Sequence, residues 1–256
     1  MHLRVRTIGA AALVCAGTLG IGACGLLPGK TFRDDAVVPK KITAVRVDSA
    51  AGDVTLRGGT APDGRSSGTV GVHRSVTYHG HRPERPTHRV EDGVLVLGGC
   101  GDGCSVDYTV ALPAGLPVSG QTSNGDLDLS GVGAVDVRTG SGAVELDAVT
   151  GPVDVRTSNG RITGRALSGS HIDAETTNGE IDLTPATPQS VRAKTSNGSV
   201  TIRVPQARYR VTARTSSGDK DISVPDDPSG TLRLDLTTDN GDITAGTTAL
   251  LTPRAR

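Results

Sequence analysis

From Ile42 onward the chain alternates apolar and polar residues at a period of two, in short runs that never lengthen into a helical pattern. Val45/Val47 and Val54/Leu56 open the series. Val70, Val72, Val76 and Tyr78 follow, then Val94–Leu97, then Val106, Tyr108, Val110 and Leu112. Each run reads as a strand with one buried face. Beyond Gln121 the alternation becomes regular. Apolar-x-apolar-x-Thr leads into Thr-Ser-Asn-Gly or a looser copy of it, and apolar residues return two and four positions past the glycine. Ile172, Ala174 and Thr176 thus precede Asn178-Gly179, and Ile181 and Leu183 follow. The phrase glycines are Gly125, Gly142, Gly160, Gly179, Gly198, Gly218 and Gly241, at steps of 17, 18, 19, 19, 20 and 23 residues. A period near twenty predicts a solenoid of stacked rungs with two strands each. The predicted class is all-β: a single-chain β-helix with rungs of about 17–23 residues and more irregular N-terminal strands. At Gly164 an inward position is empty, and after Gly218 the register slips, with Ile222 arriving late; these are the predicted weak rungs.

The phrase itself reads as architecture. Asn and Gly tolerate the positive φ of a sharp bend, so Gly125, Gly142, Gly160, Gly179 and Gly198 turn the chain. With a copy in every rung, Asn124, Asn159, Asn178 and Asn197 are expected to stack and hydrogen-bond along the column. The outward positions mix signs. Glu175 is placed between Arg156 and Lys194, and Asp173 beside Arg192, as a solvated face rather than a charged groove.

The N-terminus carries Arg4 and Arg6 and then runs uncharged from Ile8 to Ala23. That is too short for a spanning helix and reads as a signal peptide over residues 1–23. Ile21-Gly-Ala-Cys24 resembles a bacterial lipobox. The resemblance implies a lipid on Cys24, attachment to the membrane and an extracytoplasmic location. Residues 24–41 then form a tether, 42–246 the solenoid and 247–256 a tail. Cleavage removes Cys15. Cys100 and Cys104, in an oxidising compartment, are expected to pair as a disulfide across a glycine-rich hairpin, with a two-thiolate metal site as the alternative.

Without Arg4 and Arg6 the 27 basic residues become 25, against 27 acidic ones, and no basic block appears. Nucleic acid is excluded as a partner on that ground. One Phe, three Tyr and no Trp remove both an aromatic core and the usual sugar-stacking platform. Gly64-Arg-Ser66-Ser-Gly68 spells a nucleophile elbow but lies in a Gly/Ser/Pro loop without the strand and helix that motif needs. His79, His81 and His88, with His73 nearby, fall in a polar, proline-broken exposed loop; whether they gather a metal is left open. The acidic residues alternate with basic ones and show no separated acid/base pair. No catalytic residue, cofactor or metal site is predicted.

The strand ending Val106-Asp-Tyr-Thr-Val-Ala-Leu-Pro-Ala-Gly115 and the serial Thr-Ser-Asn-Gly-x-Ile-x-Leu rungs make residues 42–245 resemble the DUF4097 family. The resemblance implies an adhesin-like β-solenoid displayed outside the membrane, with an envelope protein or cell-wall material as partner and no catalytic residues. Because some members are associated with envelope-stress systems, it also admits an accessory or sensory role. A polysaccharide-active β-helix enzyme is the remaining alternative.

Overall fold

The computed structural model describes residues 29–59 and 70–248. The signal segment, Cys24 and the Gly64–Gly68 match lie outside the described residues, as does most of the tail. The described residues form strands and no helix.

Ahead of the regular array come β1 (Lys30–Val38), β2 (Ala44–Ala51), β3 (Val54–Gly58), β4 (Val70–Tyr78), β5 (His88–Glu91), β6 (Val94–Gly98) and β7 (Cys104–Leu112). The array proper begins with β8 (Val118–Asn124) and β9 (Leu127–Ser130). It continues through β10 (Val135–Ser141), β11 (Val144–Asp147), β12 (Val153–Asn159), β13 (Ile162–Leu167), β14 (His171–Asn178) and β15 (Ile181–Pro185). The last strands are β16 (Ser190–Lys194), β17 (Val200–Val204), β18 (Tyr209–Ser217), β19 (Lys220–Ile222), β20 (Leu232–Asn240) and β21 (Ile243–Thr247).

Each rung contributes one strand to each of two sheets. Sheet A runs β1-β4-β7-β3-β9-β11-β13-β15-β17-β21-β19, and sheet B runs β18-β20-β16-β14-β12-β10-β8-β2-β6-β5. Pairing is parallel along the array and antiparallel only where β1, β4 and β5 join at the N-terminal end. Between the sheets lies one aliphatic core, in which Val137, Val155, Ala174, Ala193 and Leu236 share a column with no solvent exposure beyond 1%.

The phrase forms the corner between the sheets. Its threonine points inward and is buried, and its hydroxyl donates to the carbonyl of the phrase glycine one rung back. Thr139 bonds Gly125, Thr157 bonds Gly142, Thr176 bonds Gly160 and Thr195 bonds Gly179, at 2.9–3.2 Å. A hydroxyl buried without a partner costs a few kcal/mol, about 1–3; here each also satisfies a carbonyl at the bend. The glycines are stacked so closely that a Cβ on Gly160 would lie 1.8 Å from the Gly142 carbonyl oxygen, and one on Gly179 would lie 1.9 Å from that of Gly160.

Chain order and spatial order differ at both ends. The β2–β3 rung sits between the β6–β7 and β8–β9 rungs, and the final β20–β21 rung inserts between β16–β17 and β18–β19. The reason at the C-terminal end is visible in the side chains. Leu234, Leu236, Ile243 and Ala245 give the last rung a fully aliphatic interior. The β18–β19 rung offers Val211, Ala213 and, at the inward position opposite Ile243, Lys220. A lysine there cannot be buried without a partner. Its rung therefore goes outermost, where Lys220 is exposed. This accounts for the register slip after Gly218. The place left empty by Gly164 is filled differently: the chain bulges at Ala166 (φ +52°) and Leu167 packs into the space, within 2.8 Å of where a Gly164 Cβ would be.

Three expectations are corrected. Much of the expected tether, residues 24–41, is strand: β1 pairs along its whole length with β4. Its alternation, Phe32, Asp34, Ala36 and Val38, is masked by an aspartate at an inward position. The exposed loop expected to run through His88 and Arg89 ends sooner, because β5 pairs with β6. Asp92-Gly93, with φ of +48° and +81°, forms the two-residue hairpin turn that a Asp-Gly dipeptide favours. Cys100–Cys104 is not in a hairpin: residues 99–103 turn the corner from β6 in sheet B to β7 in sheet A.

Replacing Gly160 by Ala is expected to destabilise the domain by roughly 2–4 kcal/mol, as expected for overpacking against a backbone with nowhere to move; chemical denaturation measures it. Lys220→Val is expected to convert the C-terminal end into an adhesive edge and to give concentration-dependent self-association in size-exclusion chromatography with light scattering. A variant that stays monomeric at all concentrations would remove the gatekeeping role of Lys220.

Candidate functional site

Two constructions outside the repeating corner carry chemistry. The first closes the N-terminal end. Asp34 of β1 and Arg74 of β4 are direct register partners, both on the inner face. Arg74 Nε and Nη2 donate to the two Asp34 carboxylate oxygens at 2.5 and 2.7 Å, and Nη1 donates to Thr87 Oγ1 at 2.8 Å. Only 13% of the Arg74 side chain is exposed. Its hydrogen bonds hold the Asp34 carboxyl below the usual carboxylate range, against the opposing effect of partial burial. Phe32 completes the end, with the Arg82 guanidinium 3.9 Å from its ring centroid and that of Arg74 at 5.8 Å. Tyr108 lies beneath and donates to the Gly98 carbonyl at 2.7 Å; burial pushes its hydroxyl up to about 12.

The histidines do not converge. His79 and His81 are exposed, while His88 is partly buried and its Nδ1 is enclosed without a hydrogen-bond partner. His73 bonds Asp35 at 2.7 Å, away from them on the outer side. Among the described residues no group of three or more His, Cys, Asp or Glu is arranged to hold a metal ion. Cys100 and Cys104 are joined as a disulfide, with Cα atoms 5.8 Å apart.

The second construction is a groove of about 940 Å³ on the outer face of sheet B. It runs across β2, β8, β10, β12 and β14. One column of long side chains, Asp48, Gln121, Arg138, Arg156 and Glu175, stands in register along it. Beside it runs a row of small residues, one past the inward corner residue of each strand: Ala50, Ser123, Gly140, Ser158 and Thr177. A long row next to a short one makes the concavity. Gly99 and Gly101 of the disulfide corner close one end, Gly99 lying against the Ala50 backbone. Glu175 is held by Arg156 at 3.5 Å and by Lys194 at 3.3 Å, so the expected placement of these three is what the strands produce. Arg138 differs: its neighbours across the strands are Gln121 and Arg156.

The amide column departs in membership from the one expected. Asn178 donates to Asn159, Asn197 to Asn178 and Asn240 to Asn197, at 2.9–3.0 Å. Asn124 stands apart, between Ala51 and Ser141, because the β10–β11 rung carries serine at this position. Asn240 joins because its rung is the inserted one. The corner glycines, from Gly125 and Gly142 through Gly198, all stack as described above.

The corner, its inward threonine and its stacked glycine recur from β8 to β21, and a family model described as Toastrack DUF4097 matches residues 114–246. The chain belongs to the DUF4097 Toastrack family. No curated protein matches it. Among solved structures it is similar to a candidate adhesin from Parabacteroides distasonis, with 14% identity, coverage of 86% of this chain and 98% of that one, and a TM-score of 0.48. A candidate adhesin from Bacteroides fragilis has 14% identity, coverage of 86% and 97%, and a TM-score of 0.46. A candidate cell adhesion protein from Clostridium sporogenes has 10% identity, coverage of 86% and 100%, and a TM-score of 0.40. The match to the Toastrack model takes in the groove strands β8, β10, β12 and β14 but neither the Asp34–Arg74 closure nor the disulfide corner. Those features lie outside the matched stretch of this Toastrack protein.

The closure makes stability depend on pH. Burial, with the Arg74 charge nearby opposing the effect of Asp34, holds His88 below its ordinary value, so the folded protein favours the neutral ring. That contribution is full above about pH 6.5 and is lost as the pH falls through the folded-state value. Asp34, also depressed, adds a loss that begins only below the ordinary carboxylate range. Between about pH 7.5 and about pH 5.5 the wild type is expected to lose thermal stability more steeply than His88→Phe. Parallel Tm profiles would show that His88 is not the group responsible.

Proposed function

We propose that this Toastrack protein is a non-catalytic, adhesin-like binding or scaffold module, held outside the cytoplasmic membrane by a lipid on Cys24, with the sheet B groove as its contact face. The observation that carries the reading is the groove's construction. It is an open concavity laid across β2, β8, β10, β12 and β14, roughly 19 Å at the usual strand spacing. Its floor is rigid because every strand beneath it is paired on both sides. Glu175 is engaged by two cations, so the groove presents no pair of free carboxylates of the kind a glycosidase uses. Hydroxyls, an amide, the guanidinium groups of Arg138 and Arg156 and the carboxylates of Asp48 and Glu175 line it, which suits recognition of a polar surface such as cell-wall material or an envelope protein.

The lipid reading adds a geometric consequence. Residues 25–29 between Cys24 and β1 can span at most about 18 Å when extended. The N-terminal end of the coil would then be held close to the anchor. Cys24→Ala is expected to move the protein from the membrane pellet to the soluble fraction without lowering Tm, since Cys24 lies ahead of β1, the first strand among the described residues. Ser158→Trp, which fills the groove, is expected to abolish retention on isolated envelope material. If Cys24→Ala still pellets like wild type, the anchor is elsewhere; if Ser158→Trp is retained normally, the groove is not the contact face.

A further inference from the structure

The two sheets leave four edges, and three of them are guarded. β5 has four residues and β19 three, the latter carrying Lys220 at its inward position. β18 has nine residues, but loop 223–230 covers its start, with the Asp226 carboxylate accepting from the Val211 amide and the Asp227 amide donating to the Tyr209 carbonyl. β1 is different. It is nine residues long, it pairs with β4 without a register shift, and it contains no proline or glycine. Sheet A ends at it, and among the described residues no backbone bond reaches its outer side. An inward charge blunts an edge, but on β1 that charge is cancelled, since Arg74 holds both carboxylate oxygens of Asp34. The outer face of the strand carries Val37, at 67% exposure the one exposed large hydrophobic among the described residues.

We infer that two copies of this chain join through β1, antiparallel and about a two-fold axis at Asp34, into an end-to-end dimer. An axis at that residue pairs all nine positions of the strand and keeps the inner and outer faces of both A sheets continuous. On the outer face it sets Arg33 of each copy opposite Asp35 of the other. Arg33 is in need of a partner: it is exposed, its neighbour on β4 is Ser75, and it makes no ion pair among the described residues. Asp35 is bonded at one carboxylate oxygen by His73 at 2.7 Å, yet its side chain stays 84% exposed. Val37 faces Thr31, both β-branched, and on the inner face Phe32 faces Ala36. Asp34 alone meets its own copy, and its charge is already matched by Arg74 within each copy. A slip of two residues either way would oppose Arg33 to Arg33 or Asp35 to Asp35, which is destabilising, and would lose two of the nine pairs. A strand from another protein could add to the same edge, but only a second copy is met by this self-complementary order of charges. The joint supplies about eight to ten backbone hydrogen bonds. It does not rest on the contact-face reading, since the groove lies on sheet B.

The test is sedimentation equilibrium of the full chain carrying Cys24→Ala, from about 1 μM to about 1 mM, with small-angle scattering for shape. One strand pair is a small protein interface, so a dissociation constant on the order of 10 μM is expected. The dimer should be nearly twice as long as the monomer. Arg33→Asp turns both attractions between the copies into repulsions and should weaken the dimer at least about tenfold, with Tm unchanged because Arg33 is a surface residue. Arg33→Asp combined with Asp35→Arg restores opposite charges in reversed order, and the constant should return to within about threefold of its starting value. A chain that stays monomeric throughout the range overturns the inference. So does a dimer that Arg33→Asp leaves intact, that the double reversal fails to rescue, or that gains mass without length. The association expected of Lys220→Val at the other end is read in the Arg33→Asp background, where pairing through β1 is lost. Envelope retention of Ser158→Trp decides the groove separately, so the joint and the contact face stand or fall apart from each other.

Discussion

The structure depends on one hydrogen bond repeated from rung to rung, in which a buried threonine hydroxyl donates to the carbonyl of the glycine at the corner one rung back. The bond fixes the height of each corner above the last. Once the corners are in step, the strands on either side have no freedom of register, since a slip by one residue would turn the aliphatic face outward. The glycine is required for a second reason: its Cα faces the neighbouring carbonyl at a distance that leaves no room for a side chain. The asparagine column and the aliphatic columns are consequences of this alignment. The amides hydrogen-bond because the corners already stack.

A stack with a repeating interior needs something to end it, and here both ends use a charge at an inward position. At the N-terminal end the charge is neutralised. Asp34 and Arg74 face each other across antiparallel strands, and the pair is sealed by Thr87 and Phe32. At the C-terminal end it is left in solvent. Lys220 occupies a core position on a strand that has no further rung above it. Loop 223–230 covers only part of that edge, with Asp226 accepting from the Val211 amide and Asp227 donating its amide to the Tyr209 carbonyl. Mixed charge on the outer faces serves the same purpose sideways.

Much of this was legible in the sequence because the array is local and periodic. The strand pairs from β8 to β17, the inward threonines, the turning glycines and the Arg156–Glu175–Lys194 column all follow from a period of two and a period near twenty. What was not legible depends on contacts between distant residues. The alternation of β1 is genuine but contains Asp34, and only the presence of Arg74 forty residues away makes an inward aspartate acceptable. The short β5 has one apolar residue, Val90; its signal was the Asp-Gly dipeptide that follows. Asn124 was grouped with the other asparagines by sequence, whereas its spatial neighbours are Ala51 and Ser141. The groove could not be seen at all, because it arises from the contrast of two neighbouring columns and from the disulfide corner that closes their end.

The nested order of the rungs has a consequence for how the chain is made. A simple solenoid grows as it emerges, each new rung docking on the last. Here β18–β19 cannot take its place until β20–β21 has been synthesised and inserted beneath it, and β2–β3 acquires a neighbour on both faces only after β6–β7 and β8–β9 have followed. The first-made rung and the last-made rung are both interior. As the chain is made, the aliphatic face of β16–β17 therefore stays without its native cover until nearly all of the described residues have been synthesised. A chain broken off after Ser217 would lose the rung that separates β16 from β18, along with the strands it never made. Closure of the coil is thereby coupled to synthesis of the β20–β21 rung, and a product ended before it presents a core surface rather than a shorter rod.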